Sequence, residues 1–137
     1  PVPDPVTLAD AALAWADAHL GPAPLLVYST AEPEQVRALQ QRLGTEAAGA
    51  LIEQALARVA QGLVARGVRQ LVVAGGETAG AVAQALALRS MRIGPQIDPG
   101  VPWCHVPDLG LHLCLKSGNF GATDFFTRAF MSLRAVR

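Results

Sequence analysis

The chain has 137 residues, of which 51% are apolar and 16% charged, so it is long enough for one compact core and too apolar for a disordered segment. Eleven basic residues balance eleven acidic ones, which excludes a global field that would recruit nucleic acid or an anionic membrane. Aromatics are 5% of the chain and are not interleaved with Arg or Lys, and no apolar run reaches the roughly 18 residues that span a bilayer.

The opening Pro1-Val2-Pro3-Asp4-Pro5 lacks both an initiating methionine and the basic and apolar regions of a secretory signal. Residues 1–6 read as a proline-stiffened linker, and the chain is expected to be a piece of a longer protein. Two cysteines are too few for a disulfide framework, which makes cytoplasm the default compartment.

Residues 7–20 space Leu8, Ala12, Trp15 and His19 at helical intervals, with Asp10 and Asp17 on a solvated face, and Gly21-Pro22 ends the helix. Residues 25–28 (Leu-Leu-Val-Tyr) read as a short buried strand. Residues 34–43 form a helix with Pro33 in its first turn, ended by Gly44. Thr45 is a candidate cap for the longest helix, which runs to about Arg66. Its apolar stripe is Leu51, Ile52, Ala55, Leu56, Val59 and Leu63, and Gly67 closes it in a left-handed conformation.

Residues 70–74 (Gln-Leu-Val-Val-Ala) read as a second buried strand, followed at once by Gly75-Gly76-Glu77-Thr78 and a helix from Thr78 to Leu88. A brief strand is expected at residues 91–93. The Pro and Gly content of residues 94–102 argues against regular structure there. Residues 103–106 and 111–116 flank Pro107-Asp108-Leu109-Gly110 as a hairpin. Residues 117–121 form a tight loop, and a closing helix takes 122–135. Met91 and Trp103 read as core. The whole is expected to be a single α/β domain over residues 1–137, with a mixed, mostly parallel sheet flanked by helices, a C-terminal hairpin and a closing helix.

The segment from Val72 to Gly80 runs strand, glycine turn, helix. Glycines let a phosphate approach the main chain, and the helix start adds unpaired N–H donors and a positive dipole end. Such an end is worth about 0.3–1 kcal/mol per anion when exposed and up to about 2 when partly buried. Thr78 can cap the helix or touch a phosphate or its Mg²⁺, and Glu77 can hold a metal-bound water. The turn lacks the Gly-Lys-Ser/Thr of a P-loop and the Gly-x-Gly-x-x-Gly of a dinucleotide site, which disfavours a nicotinamide enzyme. A tight turn with close helix–strand packing accounts for it equally well.

A second glycine loop, Lys116-Ser117-Gly118-Asn119-Phe120-Gly121, supplies a cation, a hydroxyl, two glycines and an amide between a strand and a helix. Loops of this kind gather at the carboxyl ends of parallel strands, so both loops on one edge would embrace a polyphosphate. Phe120 reads as core rather than as an adenine platform. The Cys104, His105, His112 and Cys114 group suggests zinc, but strand alternation keeps all four from converging, and no metal site is assigned. Asp98, about twenty residues past the first glycine turn, reads as a turn former rather than a ribose carboxylate.

The run from Gly75 through Phe126 resembles the C-terminal nucleotide-binding domain of the four-carbon acid sugar kinases, formerly described as Hrp-dependent type III effector-like proteins. The likeness is carried by Gly75-Gly76-Glu77-Thr78-Ala79-Gly80-Ala81-Val82, by residues 92–103 (Arg-Ile-Gly-Pro-Gln-Ile-Asp-Pro-Gly-Val-Pro-Trp), and by Leu115-Lys116-Ser117-Gly118-Asn119-Phe120-Gly121 leading to Asp124-Phe125-Phe126. Residues 26–33 resemble the family's first strand and loop. Ala79 stands where a hydroxylated residue is common, and Thr123 where an acidic one is expected. The resemblance implies ATP/ADP with Mg²⁺ as the bound nucleotide, held by Ser29, Gly75, Gly76, Glu77, Thr78, Gly118 and its neighbour Gly121. It implies phosphorylation of the terminal hydroxyl of acids such as threonate, erythronate or 3-oxo-tetronate. The acid would bind to a separate N-terminal domain absent here, so this chain alone is expected to be inactive, with its catalytic base unassigned and homo-oligomerisation left open. The alternative is a non-catalytic nucleotide- or anion-binding regulatory or effector module.

Overall fold

The computed structural model describes residues 4–29, 32–118 and 122–136. The chain divides into two compact units, Pro1–Gly62 and Leu63–Arg137.

The first unit is helical. α1 (Pro5–His19) begins inside the stretch expected to be linker, because Asp4 is a complete N-cap and Pro5 suits the first helical position. The Asp4 carboxylate accepts from the Thr7 N–H at 2.9 Å and from the Thr7 hydroxyl at 2.6 Å, and these bonds lower its pKa. The buried stripe is Ala9, Leu13 and Ala16, one position out of phase with the expected one. In a helix this rich in alanine two faces satisfy the apolar pattern. The structure packs the small side chains and leaves Trp15 44% exposed, stacked on His19. Close approach accounts for the choice: a Cβ at Gly62 of α3 would collide with the Leu13 side chain.

α2 (Pro33–Leu43) has no buried residue and ends at Gly44, whose φ is +84°. α3 (Thr45–Ala65) starts with Thr45 inside the helix, and Gly44 supplies the first carbonyl to the Ala48 N–H. Its expected stripe is present, with Leu51, Ala55 and Val59 buried. Residues 25–28 depart from expectation: they alternate half-buried and exposed but join no ladder among the described residues, leaving Leu26 60% and Tyr28 68% exposed. An apolar run alone does not make a strand; the backbone groups need a partner.

The second unit holds the sheet. Gly67, at φ +94°, ends α3 as expected, with the Val68 N–H reaching back to the Leu63 carbonyl. β1 (Gln70–Ala74), β2 (Arg92–Asp98), β3 (Val101–Val106) and β4 (Leu111–Lys116) form a sheet in the order β1-β4-β3-β2. The mixed α/β sheet, the hairpin and the closing helix are as expected, but the parallel share is smaller. Only β1–β4 is parallel, whereas β2–β3 and β3–β4 are antiparallel. β1 is an edge strand with Val73 alone fully buried, not the buried strand expected from its apolar run.

Apart from the turn at Pro99 and Gly100, the proline-rich residues 94–102 lie in strands. β2 runs through Pro95 because it is the sheet's other edge, where a missing N–H removes no ladder bond, and its register shifts between Ile93 and Gln96. Met91, expected in the core, lies just before this edge and is 40% exposed. The β3–β4 hairpin pairs Cys104 with Leu113 and His105 with His112, turning through one 3₁₀ turn at Pro107–Leu109 and a left-handed Gly110.

α4 (Gly76–Ala85) lies against β1 and β4. α5 (Phe125–Val136) covers the sheet face that carries Val101, Trp103 and Cys114, burying Phe125, Ala129 and Leu133 against them. The Trp103 indole N–H donates to the Ala129 carbonyl at 2.7 Å, which fixes α5 on the sheet. Alternation turns Cys104 to the opposite face from Cys114. Both thiols are free, with their pKa values raised by burial, that of Cys114 to about 11. His105 and His112 face each other with ring centroids 5.0 Å apart, and no group of three metal-ligating side chains occurs among the described residues.

Candidate functional site

The parallel pairing of β1 and β4 decides where the two glycine loops lie. Parallel neighbours end on the same edge, so the chain leaves both strands side by side. Ala74 is in register with Lys116, and the Gly75 N–H extends the ladder by donating to the Lys116 carbonyl at 2.8 Å. A Cβ added at Gly76 would stand 4.0 Å from the Ser117 Cβ. Two loops far apart in sequence thus start side by side at one edge of the sheet.

Within it, Gly75 is the N-cap of α4 at φ +112°, ψ 129°, a conformation that non-glycine residues rarely adopt. The helix therefore starts at Gly76, ahead of the expected start, and Thr78 is not its cap. Gly75 offers no side-chain cap, and the first intrahelical bond runs from the Ala79 N–H to the Gly75 carbonyl. Helix geometry leaves the N–H groups of Gly76, Glu77 and Thr78 without intrahelical acceptors, at the positive end of the dipole. Gly75 is half-buried, Gly76 and Glu77 are exposed, and Thr78 lies with its hydroxyl turned toward Gly75.

Across from them, Gly118 is exposed at φ +61°, and the Lys116 ammonium donates to its carbonyl at 2.9 Å. The same ammonium stands 5.8 Å from the centroid of the Phe125 ring, so the cation is held beside the loop instead of extending into water. The edge offers oriented N–H donors, one positive charge and no side chain at Gly75, Gly76 and Gly118, the donor set of an anion site.

The other candidates divide. Ser29 is exposed in the first unit and outside any ladder. Gly121 lies outside the described residues, as do Asn119 and Phe120, and Thr30 and Ala31 of the first loop. Asp98, expected only to form a turn, does more. Its carboxylate accepts from the Ala122 N–H at 3.1 Å and lies 2.7 Å from Arg128 Nη2 through both oxygens. These bonds, led by that with Arg128, hold Asp98 below the usual carboxylate pKa range. Sequence carries no signal for this pairing beyond an acid and a base far apart along the chain.

The family model described as a nucleotide-binding C-terminal domain matches residues 4–126. A 3-oxo-tetronate kinase of Burkholderia multivorans is 59% identical over 125 residues, which is 90% of this chain and 29% of that protein. One of Cupriavidus necator is 57% identical over 127 residues, 92% of this chain and 29% of its own length. The crystal structure of a Haemophilus influenzae protein superposes with a TM-score of 0.81 at 38% identity, covering 90% of this chain and 30% of that one. The chain thus spans less than a third of the length of these relatives. With a match over nearly all of its residues, the chain belongs to the family of nucleotide-binding C-terminal domains.

Proposed function

We propose that this chain holds ATP and ADP for a kinase that phosphorylates the terminal hydroxyl of a four-carbon sugar acid. The observation that carries this reading is the ladder bond from Gly75 N–H to the Lys116 carbonyl, which joins the two glycine loops into one anion-binding edge. The N–H groups of Gly76, Glu77 and Thr78 would take the terminal phosphates, with Gly118 across from them and Lys116 neutralising charge. Ser29 and Gly121 complete the proposed contact set by resemblance. The kinase names of the relatives support the activity, and 3-oxo-tetronate stands first among the candidate acceptors because their names carry it.

Mg²⁺ would arrive with the nucleotide. The residues fit that form: the Thr78 hydroxyl and Glu77 carboxylate stand at the phosphate end of α4, whereas no three-ligand cage exists among the described residues. When bound, the ion neutralises phosphate oxygens. What this chain contributes is position. Phosphoryl transfer depends on aligned, charge-neutralised phosphates and exclusion of water more than on covalent help from the protein. No residue here is assigned as catalytic base. The acid's carboxylate needs basic groups that this edge does not concentrate, and its site is proposed to lie in sequence corresponding to the rest of the relatives' length. Among the described residues no helix is long and apolar enough to cross a membrane. Two free thiols support a reducing compartment, and cytoplasm is proposed.

A thermal-shift comparison tests the ligand class. ADP with Mg²⁺ at one hundred times its Kd is expected to stabilise the chain by about 2.7 kcal/mol, with NAD giving no shift. Stabilisation by NAD and none by ADP would overturn the reading.

A further inference from the structure

In the connection from β4 to α5, the described residues on either side, Lys116 to Gly118 and Ala122, are each held by hydrogen bonds. At its start, Lys116 accepts from the Gly75 N–H through its carbonyl and donates to the Gly118 carbonyl through its ammonium. At its far end, the Ala122 N–H donates to Asp98 Oδ2 at 3.1 Å. The chain between Gly118 and Ala122 can reach at most roughly 14 Å, so fixing Ala122 restricts where Gly118 can stand.

Asp98 is itself held. Its side chain is 15% exposed, and both oxygens lie 2.7 Å from Arg128 Nη2. Arg128 also donates through Nε to Asp124 Oδ1 at 2.9 Å and through Nη1 to the Ile97 carbonyl at 3.4 Å. One guanidinium therefore ties the end of β2 to the start of α5 and holds the carboxylate that accepts from Ala122. It also offsets two carboxylates, Asp98 and Asp124, that would otherwise present bare negative charge close to an anion-binding loop.

We propose that Asp98 and Arg128 are positioning residues for the nucleotide site, restraining Gly118 through the Asp98–Ala122 bond. The proposal rests on the nucleotide reading given above. It separates Asp98 from a turn former, which would act on Pro99 and Gly100 and leave the distant loop at Gly118 untouched.

The test compares the unsubstituted chain with Asp98→Ala, Asp98→Asn and Arg128→Met by calorimetric titration with ADP and Mg²⁺ and by amide hydrogen exchange. Asp98→Ala is expected to weaken ADP binding about tenfold. It should speed exchange at Gly118 and Ala122 while β1 and β4 keep their protection. Asp98→Asn should recover part of both effects, because a carboxamide oxygen can still accept from the Ala122 N–H. Arg128→Met should weaken ADP binding at least as much as Asp98→Ala, since it leaves two carboxylates uncompensated. If Asp98→Ala does not fold, the intermediate Asp98→Asn and the Arg128→Met variant carry the same comparison. Unchanged ADP affinity in these variants, or exchange that rises uniformly over the whole sheet, would overturn the proposal. Failure of the unsubstituted chain to bind ADP would instead overturn the nucleotide reading, and the proposal with it.

Discussion

Gly76→Val is expected to weaken ADP binding by about tenfold to a hundredfold, the loss of one hydrogen bond to a charged group, while leaving the fold intact. Its φ is not in the left-handed range, and a Cβ there meets nothing closer than the Ser117 Cβ at 4.0 Å, an ordinary contact. Valine is therefore accommodated by the protein. The methyl groups would instead fill the space between the two loops, over the N–H groups that open α4, where a phosphate is proposed to approach. The neighbouring position reverses the pattern. Gly75→Ala must hold φ +112° with a Cβ 3.4 Å from the Thr78 hydroxyl, a backbone strain of about 1–3 kcal/mol that appears as lost stability. Calorimetry and urea unfolding on the two variants separate a glycine needed for ligand approach from one needed for backbone shape. A folded Gly76→Val protein with unchanged ADP affinity would show that this turn serves packing alone.

Trp103→Ala is expected to lower unfolding stability by about 3–5 kcal/mol, the largest effect of any single substitution considered. The side chain is 1% exposed, lies among Val101, Cys114, Phe125, Ala129 and Leu133, and approaches the Phe130 ring at 5.9 Å. Truncation would open a cavity between β3 and α5 and leave the indole's bond to the Ala129 carbonyl unmade. Trp103→Phe keeps most of the volume and should lose about 0.5–1.5 kcal/mol, the worth of that bond. The site would feel the larger change. Phe125, in the same cluster, supports the Lys116 ammonium, and it opens α5 just beyond Ala122. A urea midpoint for Trp103→Ala equal to that of the unsubstituted chain would show that α5 is not anchored through this residue.

The elements legible in the sequence are those carrying local punctuation. Gly44, Gly67 and the Pro107-to-Gly110 turn each mark the end of an element by a residue whose backbone preference is decisive, and the structure places ends there. Where partners decide, sequence is ambiguous. Residues 25–28 are a short apolar run of strand composition, yet a ladder needs a neighbour that composition does not name. Pro95 argues against a strand only until sheet order is known, because the edge position that tolerates it does not follow from the residues around it. In α1 the abundance of alanine leaves the buried face undetermined until Gly62 meets Leu13.

The site divides along the same line. Gly75, Gly76 and Gly118 are legible because each follows closely on an apolar strand, where a missing side chain leaves the main chain bare to a ligand. Their side-by-side position follows once β1 and β4 pair in parallel. The start of α4 at Gly76 is harder to read, since Thr78 has the chemistry of a cap and the true cap is a glycine with no side chain to recognise. The Asp98–Arg128 pair is invisible for a plainer reason: its members are far apart in sequence, and only folding of β2 beside α5 brings their charges into contact.

The most direct test follows the backbone amide signals of an isotopically labelled chain during titration with ADP and Mg²⁺. Gly76, Glu77, Thr78 and Gly118 should shift together and saturate at one common Kd if, as proposed, a single diphosphate bridges both loops. Binding that moves only one of the loops, or that leaves all four amides where they were while others shift, would contradict the shared phosphate edge.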